Sequence, residues 1–385
     1  MTSELTRAAP RSVSPHRLTS LDGLRGVAAL VVVLHHALLT VPTLASAYYP
    51  STGDVTGGSA YWLLTYTPLH LVWAGTEAVC LFFVLSGIVL TLPVVRTGSF
   101  SWSAYYPKRM IRLYGPVLAA VLFGLLLVTA VDRYNADALG AWVNARPNGY
   151  SLESLGRDTT LVAGASGVIS PLWSLQWEVL FSLALPLYVG YARAKVPGWL
   201  KLVTVGALIC WGSLNNGQYS YYLPMFAVGV LIVVHWDWLA TLADQANRRR
   251  AAWPVILIVA VVLTCSRWEL IGLGVSESTA ARQTWISLIG VTLLVWAAAF
   301  CPGLRAVLQH RLVQWLGAIS FSLYLVHEPI IIAVRFLTVE HSPWLGIVVS
   351  IPVALLVAVV FARVVERPLH RLARATGRRL DTVRS

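Results

Sequence analysis

Apolar residues occur along this chain in long runs that are separated by short polar segments. Ten of these runs have a length that suits a transmembrane helix: 21–42, 74–95, 109–131, 171–192, 199–214, 219–236, 253–271, 282–300, 312–337 and 344–365. Because about 20 apolar residues are needed for a helix to cross a bilayer, the pattern predicts an all-α, polytopic bundle of about ten transmembrane helices. The aromatic stretch 60–73 is too short to span and is predicted to be interfacial or re-entrant.

The composition supports a membrane protein and excludes an ordinary soluble domain. Of the 385 residues, 57% are hydrophobic and 12% are charged. The net charge of +12 does not indicate nucleic-acid binding, because the basic residues lie at the ends of apolar runs. With the N-terminus inside, 22 of the 29 basic residues fall in cytoplasmic segments and five in external segments. The positive-inside rule therefore predicts that both termini are cytoplasmic.

The chain is predicted to contain one membrane domain with two short tails. The cytoplasmic N-terminal tail covers 1–20, the membrane domain 21–366 and the basic cytoplasmic tail 367–385. The longest loop, 132–169, is predicted to be external. The four cysteines lie singly in or beside apolar runs, which indicates buried side chains rather than disulfides or metal ligands.

The first apolar run contains an arginine and a histidine, Arg25 and His36, eleven residues apart. Eleven steps of about 100° return nearly to the same helix face, and the rise is about 16 Å. Ionisable groups at that depth usually mark a site or a pathway. These residues, together with His35, count against the alternative of a cleaved signal peptide. His35 lies about 100° around the helix, so it cannot share the role of His36.

Three titratable residues, His36, Glu178 and His327, are predicted to lie at one depth, in the outer half of the membrane. This estimate counts a rise of about 1.5 Å per residue from the edge of each span. Two polar stripes at helical spacing accompany them, at Ser174, Glu178 and Ser182 and at Ser320, Tyr324 and His327. Such stripes either line a cavity or join helices by hydrogen bonds. Together with the Arg25–His36 face, they favour a cavity.

A cationic cluster, Lys108, Arg109 and Arg112, opens the third run on the predicted cytoplasmic side. It represents either ordinary flanking charge or an anion site, because Arg109 and Arg112 share a helix face and can bind phosphates bidentately. The distance from this cluster to the outer titratable layer suits a long donor with a charged head and a reactive tip. A coenzyme A thioester has that shape.

The chain resembles the integral membrane acyltransferase 3 family in six segments, which occur in the family's order: LDGLRGVAALVVVLHH, LFFVLSGIVL, KRMIRLYGP, SPLWSLQWEVLFS, SFSLYLVHEP and ERP. The resemblance covers nearly the whole chain. It implies a ten-span core and transfer of acyl groups from cytoplasmic acyl-CoA to hydroxyls of glycans, lipids or natural products. The sequence departs from the family pattern at Gly115, before the proline of the arginine motif, and at Ser182, where an aromatic residue is frequent.

The resemblance implies roles for individual residues. The essential arginine–histidine pair corresponds to Arg25 and His36, the arginine motif to Arg109 and Arg112, and the Trp-Ser-Leu motif supplies Glu178. The predicted catalytic residues are His36, Glu178, Arg25 and His35. The predicted donor-binding residues are Arg109, Arg112, Lys108 and Arg25. The predicted acceptor or oxyanion residues are Ser320, Tyr324, His327, Trp173 and Ser174.

The sequence thus predicts an acyl-CoA-dependent O-acyltransferase of the bacterial plasma membrane, with His36 as general base. Acyl-CoA, by default acetyl-CoA, is the expected donor, and no permanently bound cofactor, metal or nucleic acid is expected. The expected acceptor is a cell-envelope glycan, a glycolipid or a secondary metabolite. Direct transfer and an acyl-histidine intermediate are both open. The alternative is a proton-coupled transporter, which also uses buried His, Glu and Arg residues.

Overall fold

The computed structural model describes residues 15–49, 57–96 and 100–382, and these ranges contain helices but no strands. Ten apolar helices correspond one to one with the predicted runs. They are α1 (Pro15–Leu38), α2 (Gly75–Arg96), α3 (Trp102–Ala130), α4 (Leu172–Arg193), α5 (Gly198–Leu214), α6 (Gln218–Val234), α7 (Ala252–Gly272), α8 (Trp285–Phe300), α9 (Arg311–Leu337) and α10 (Pro343–Phe361). The predicted all-α, polytopic fold class is confirmed.

The ten helices differ in how readily they cross a membrane. Within the described ranges, seven helices are long and apolar enough to cross alone. Two more, α6 and α8, qualify only with the helices that follow them, Trp236–Asn247 and Pro302–Leu308, which turn by 76° and 85°. α5 has 17 residues. The count of ten spans and the cytoplasmic position of both termini therefore remain predictions.

The predicted tails are described in part. Residues 1–14 of the N-terminal tail and 383–385 of the C-terminal tail lie outside the described residues. The remainder of the N-terminal tail, from Pro15, forms the start of α1. The fixed φ of proline suits the first turn of a helix, so α1 begins before its apolar run.

α1 and α9 approach each other closely because glycines face each other where they cross. A Cβ atom on Gly26 would lie 2.4 Å from the backbone nitrogen of Gly317. Small residues at helix crossings let backbones approach in this way. α9 is also largely enclosed by its neighbours. The crossing fixes which side chains of α1 and α9 meet further along the two helices.

α4 lies between two apolar cores. Trp177 and Phe181 pack in one core with α2 and α6, whereas Leu175 and Val179 pack in the other with α3 and α9. The polar stripe that begins at Ser174 runs along the boundary between them. The helical spacing of the sequence therefore places the polar residues of α4 between two apolar faces.

The predicted external loop is folded onto the bundle by a buried carboxylate, Glu328 of α9. The Arg146 Nη1 atom lies 3.1 Å from Glu328 Oε1. Ser170 donates its backbone N–H to Glu328 Oε2 at 2.5 Å and its hydroxyl to Oε1 at 2.6 Å. Glu328 has no exposed surface, so these contacts supply its partners. They connect α9 to the loop at Arg146 and to Ser170, the residue that follows the loop.

Asp158, in the loop helix Leu152–Thr160, organises the same loop. It accepts hydrogen bonds from the Tyr150 hydroxyl at 2.9 Å and from the Ser166 backbone N–H at 2.6 Å. Burial raises the pKa of the Asp158 carboxyl above its usual value, and the hydrogen bonds oppose that rise. The loop is therefore an ordered cover with its own polar core.

The last span continues beyond the bundle. A π-helical turn at Ala362–Glu366 joins α10 to a further helix, α11 (Arg367–Thr382). α11 packs along α3. A Cβ atom on Gly115 would lie 2.7 Å from Leu369 Cδ1, so the glycine that departs from the family pattern accommodates a leucine of α11.

We predict that Glu328→Gln destabilises the protein by about 1–3 kcal/mol, because Arg146 loses its charged partner and the amide faces hydrogen-bond donors. Thermal unfolding in lipid nanodiscs measures this change. Glu340→Gln, at an exposed glutamate just beyond the same helix, is the matched control and should unfold like wild type. Equal melting temperatures for the two variants would contradict the anchoring role of Glu328.

We also predict the topology from the distribution of basic residues. Green fluorescent protein fused after Ser385 should fluoresce, because it folds in the cytoplasm. Alkaline phosphatase fused after Gly149, in the loop 132–169, should be active, because it requires an external position. Activity of the phosphatase at the C-terminus would show that the positive-inside assignment is wrong.

Candidate active site

A cavity of about 140 Å³, with a mixed lining of apolar and polar side chains, lies between α1, α2, α3, α4, α9 and the beginning of α11. We call it the central cavity. Its ionisable lining residues are Arg25, Arg109, Arg112, Glu178, Glu366 and His370. Its other polar lining residues are Ser86, Ser174, Ser320 and Tyr324. Residues from widely separated segments of the sequence therefore meet around one cavity.

Arg109 of α3 and Glu178 of α4 form an ion pair in the cavity wall. The distance from Arg109 Nη2 to Glu178 Oε1 is 2.5 Å. The Arg109 Nε–H group donates to the Ser182 hydroxyl at 3.0 Å, and Ser86 donates to Glu178 at 3.2 Å. A carboxylate in the membrane interior requires such partners. The serine that departs from the family pattern, Ser182, therefore helps to orient Arg109.

Arg112 and Arg25 also line the central cavity, and no described residue forms an ion pair with either of them. Arg25 and Arg112 are both solvent-exposed. Glu366 accepts a hydrogen bond from the Ser322 hydroxyl at 2.5 Å, and His370 Nε2 lies 3.7 Å from its other oxygen. The two arginines therefore provide positive charge that is free to bind an anion.

Not all of the predicted donor-binding cations line the central cavity. Arg109 and Arg112 both line the cavity, as their spacing predicted. Lys108 does not line it: its side chain is exposed, and its Cδ would lie 3.4 Å from a Cβ atom on Gly377 of α11. Adjacent helical residues point about 100° apart, which turns Lys108 away from its neighbours.

His36 and His327 form a hydrogen-bonded pair between α1 and α9. His36 Nδ1 lies 2.9 Å from His327 Nε2, and His327 Nδ1 lies 2.9 Å from the Leu323 carbonyl oxygen. Because a carbonyl oxygen only accepts, neutral His327 carries its proton on Nδ1 and offers Nε2 as an acceptor. His36 then donates from Nδ1, which leaves a free lone pair on its Nε2. No hydrogen bond joins this atom to a described residue.

Of the three titratable residues predicted to lie at one depth, two contact each other and the third has a different partner. His36 and His327 meet, as their common depth implied. Glu178 instead faces Arg109 of α3. Counting residues from the span edges gives height but not rotation about the helix axis, so it does not distinguish these partners.

The external loop covers His36. The Trp142 ring is stacked on the His36 ring, with centroids 5.7 Å apart. The Arg146 guanidinium in turn lies 5.0 Å from the centroid of the Trp142 ring. Arg146 is the residue that binds Glu328. The loop anchor and the cover of His36 are therefore one structure.

His35, the other predicted catalytic histidine, lies in a different environment. Its Nδ1 donates to the Trp73 carbonyl oxygen at 3.0 Å, and its ring contacts Tyr48 at 5.1 Å between centroids. Its side chain is buried. His35 thus packs among aromatic residues beside the pair formed by His36 and His327.

Tyr324 lies between the central cavity and the histidine pair. Its hydroxyl is 2.7 Å from the Ser174 hydroxyl and donates to the Pro171 carbonyl oxygen at 3.1 Å. Its ring centroid is 6.0 Å from that of His327. Ser320 lines the cavity on the same helix and donates to the Gly317 carbonyl at 2.8 Å. Of the predicted acceptor or oxyanion residues, Ser174, Ser320, Tyr324 and His327 therefore lie in or beside this site.

Trp173 does not join this group. It lines a second cavity on the opposite side of α4.

Sequence reasoning missed several residues of the site, and one of them carried a usable signal. Glu328 follows His327 directly inside an apolar run, where a carboxylate is rare enough to indicate a function. Glu366 begins the ERP segment, which carries part of the family resemblance but no role for the glutamate, and His370 resembles an ordinary tail residue. Trp142 and Arg146 lie in an irregular loop, whose sequence has no periodicity to reveal its contacts.

Comparisons with known proteins identify the family of the chain. A family model described as an acyltransferase domain matches residues 18–363. Acyltransferase MdmB of Streptomyces mycarofaciens is 26% identical over 334 residues, which cover 82% of this chain and 79% of that protein. O-acetyltransferase OatA of Staphylococcus aureus is 21% identical over 93% of this chain and 58% of its own length. No solved structure matches this chain. The match to the family model shows that this chain belongs to the acyltransferase family it describes.

Proposed function

We propose that this membrane acyltransferase moves an acyl group, by default acetyl, from cytoplasmic acyl-CoA to a hydroxyl of a cell-envelope glycan, glycolipid or secondary metabolite. The observation that carries the proposal is the His36–His327 pair, which leaves His36 Nε2 unpartnered beyond a cationic cavity. The O-acetyltransferase among the relatives supports oxygen as the acceptor atom. Membership of an acyltransferase family favours this enzyme over the transporter alternative.

The donor enters the central cavity from the predicted cytoplasmic side in this proposal. Acyl-CoA carries phosphates at one end and a thioester at the other. Arg112 and Arg25, which have no ion-pair partner among the described residues, bind the phosphates. Arg109 is held by Glu178, so it shapes the cavity wall and contributes less to phosphate binding. The thioester then extends past Tyr324 toward His36.

His36 acts as the general base. Its Nε2 takes the proton from the acceptor hydroxyl as that oxygen attacks the thioester carbonyl carbon. Collapse of the tetrahedral adduct breaks the carbon–sulfur bond, and the imidazolium returns the proton to the leaving thiolate. The products are the O-acyl acceptor and free CoA.

The neighbouring groups orient this reaction. His327 accepts the Nδ1–H bond of His36 and so fixes the tautomer in which Nε2 is basic. The Tyr324 and Ser320 hydroxyls lie on the cavity side. Each donates its one proton to a backbone carbonyl, so each has to rotate away from that carbonyl to donate to a developing oxyanion. An acyl-His36 intermediate uses the same lone pair and remains compatible with this geometry.

We predict that His36→Ala lowers the rate of acceptor-dependent CoA release by about 10²–10⁴-fold, because the reaction loses its base. The assay follows free CoA from acetyl-CoA with envelope extract, using purified protein in nanodiscs. His327→Ala should lower kcat with little effect on the KM for acetyl-CoA, because it positions His36 without contacting the donor. His341→Ala, at an exposed histidine, is the control. Unchanged turnover in His36→Ala would refute the proposed mechanism.

We predict different effects for the two arginines of α3. Arg112→Gln should raise the KM for acetyl-CoA roughly 10- to 100-fold without loss of stability, because a charge-assisted bond to phosphate disappears. Arg109→Gln should lower the melting temperature, because Glu178 loses its partner, and adding Glu178→Gln should restore much of it. Arg371→Gln, at an exposed position of α11, is the control. A normal KM in Arg112→Gln would exclude Arg112 from donor binding.

A further inference from the structure

We infer that the side of α4 opposite the central cavity carries a second binding site, which holds a pyranose ring of the acceptor away from the reacting atoms. The identity of the ligand as acceptor rests on the proposed function. The site is a cavity of about 320 Å³, within the range of about 300–1,000 Å³ that is usual for small-molecule sites. We call it the aromatic cavity. Its lining residues are Gly164, Trp173, Gln176, Trp177, Gln218 and Tyr222.

The aromatic cavity is formed at the predicted external end of the bundle. Its residues come from the first two turns of α4, the first two turns of α6 and the external loop. Gly164 supplies the loop wall with a positive φ of 81°, which favours glycine. An acceptor in the cell envelope approaches the membrane from this side.

Three aromatic rings, those of Trp173, Trp177 and Tyr222, line the aromatic cavity. The Tyr222 ring centroid lies 5.2 Å from that of Trp173 and 5.2 Å from that of Trp177. Rings of this kind offer broad apolar faces with polar edges. A pyranose ring has the matching character, with C–H groups on its faces and hydroxyls around its rim.

Two polar side chains of the same cavity have no hydrogen-bond partner among the described residues. Gln176 is 8% exposed, and no hydrogen bond joins its amide to a described residue. Trp177 is 2% exposed, and its indole N–H likewise has no partner among the described residues. Leaving the buried indole N–H unpaired costs about 1–3 kcal/mol. The Gln176 amide can exchange hydrogen bonds with the hydroxyls of a sugar in the cavity, whereas the Trp177 N–H is enclosed by protein and a ligand reaches it only if the ring turns.

The two cavities lie on different faces of α4. Ser174 and Glu178 line the central cavity, whereas Trp173 and Trp177, each one residue earlier, line the aromatic cavity. Phe83 of α2 lines the central cavity and also contacts the Trp173 ring, with centroids 6.4 Å apart. The inference places one ring of a longer glycan here while another part of the same acceptor approaches the reaction site.

Direct binding tests the inference without requiring turnover. Wild-type protein in nanodiscs, free of sugar-based detergent, is titrated with methyl glucoside, galactoside, mannoside and N-acetylglucosaminide by saturation-transfer NMR. At least one should bind, and cyclohexanemethanol, which lacks the ring hydroxyls, should not displace it. Trp173→Ala, Gln176→Leu and Trp177→Phe should each weaken binding about tenfold.

Matched variants separate this inference from the proposed function. Trp211→Ala, at a tryptophan of α5 that is 64% exposed, should bind like wild type. His36→Ala should also keep sugar binding while it loses CoA release, so the two hypotheses can fail independently. The inference is overturned if no methyl pyranoside binds the folded wild-type protein, which would indicate a cavity that holds only water. Binding that survives both Trp173→Ala and Gln176→Leu would overturn it as well.

Discussion

The absence of water in the bilayer interior governs how the charged residues of this protein are arranged. A carboxylate buried there has to obtain its hydrogen bonds and its counter-charge from the protein. Glu178 obtains them from Arg109 of α3, and Glu328 from Arg146 of the predicted external loop and from Ser170, which follows the loop. Each pair joins elements that are distant in sequence. The requirement to satisfy two charges thus determines where α4 lies against α3 and where the loop lies against α9.

Local properties of the sequence were sufficient to predict the helices but not their partners. The length and apolarity of a run are local, so all ten helices could be located. The depths of His36 and His327 follow from the same counting, and their contact agrees with it. The pairing of Glu178 with Arg109 depends on the rotation of α4 relative to α3, which no single segment contains. The position of Trp142 over His36 depends on a loop fold whose anchor, Glu328, is about 180 residues away from Arg146 in sequence.

α4 is the element on which both cavities depend. Its polar stripe faces the central cavity, and the residues immediately before Ser174 and Glu178 face the aromatic cavity. Because helical neighbours diverge by about 100°, one short helix segment presents charged chemistry on one side and aromatic rings on the other. The two apolar cores on its flanks hold that orientation.

The hydrogen-bond chain through the histidines has a direction and an end. It runs from His36 to His327 and stops at the Leu323 carbonyl oxygen. An amide carbonyl accepts a hydrogen bond but is far too weak a base to carry a proton onward. A proton that reaches His327 therefore has no onward path through Leu323 and returns by the way it came. The contact with Leu323 therefore offers protons no route down the membrane potential, which drives each unit charge by about 2.3 kcal/mol per 100 mV.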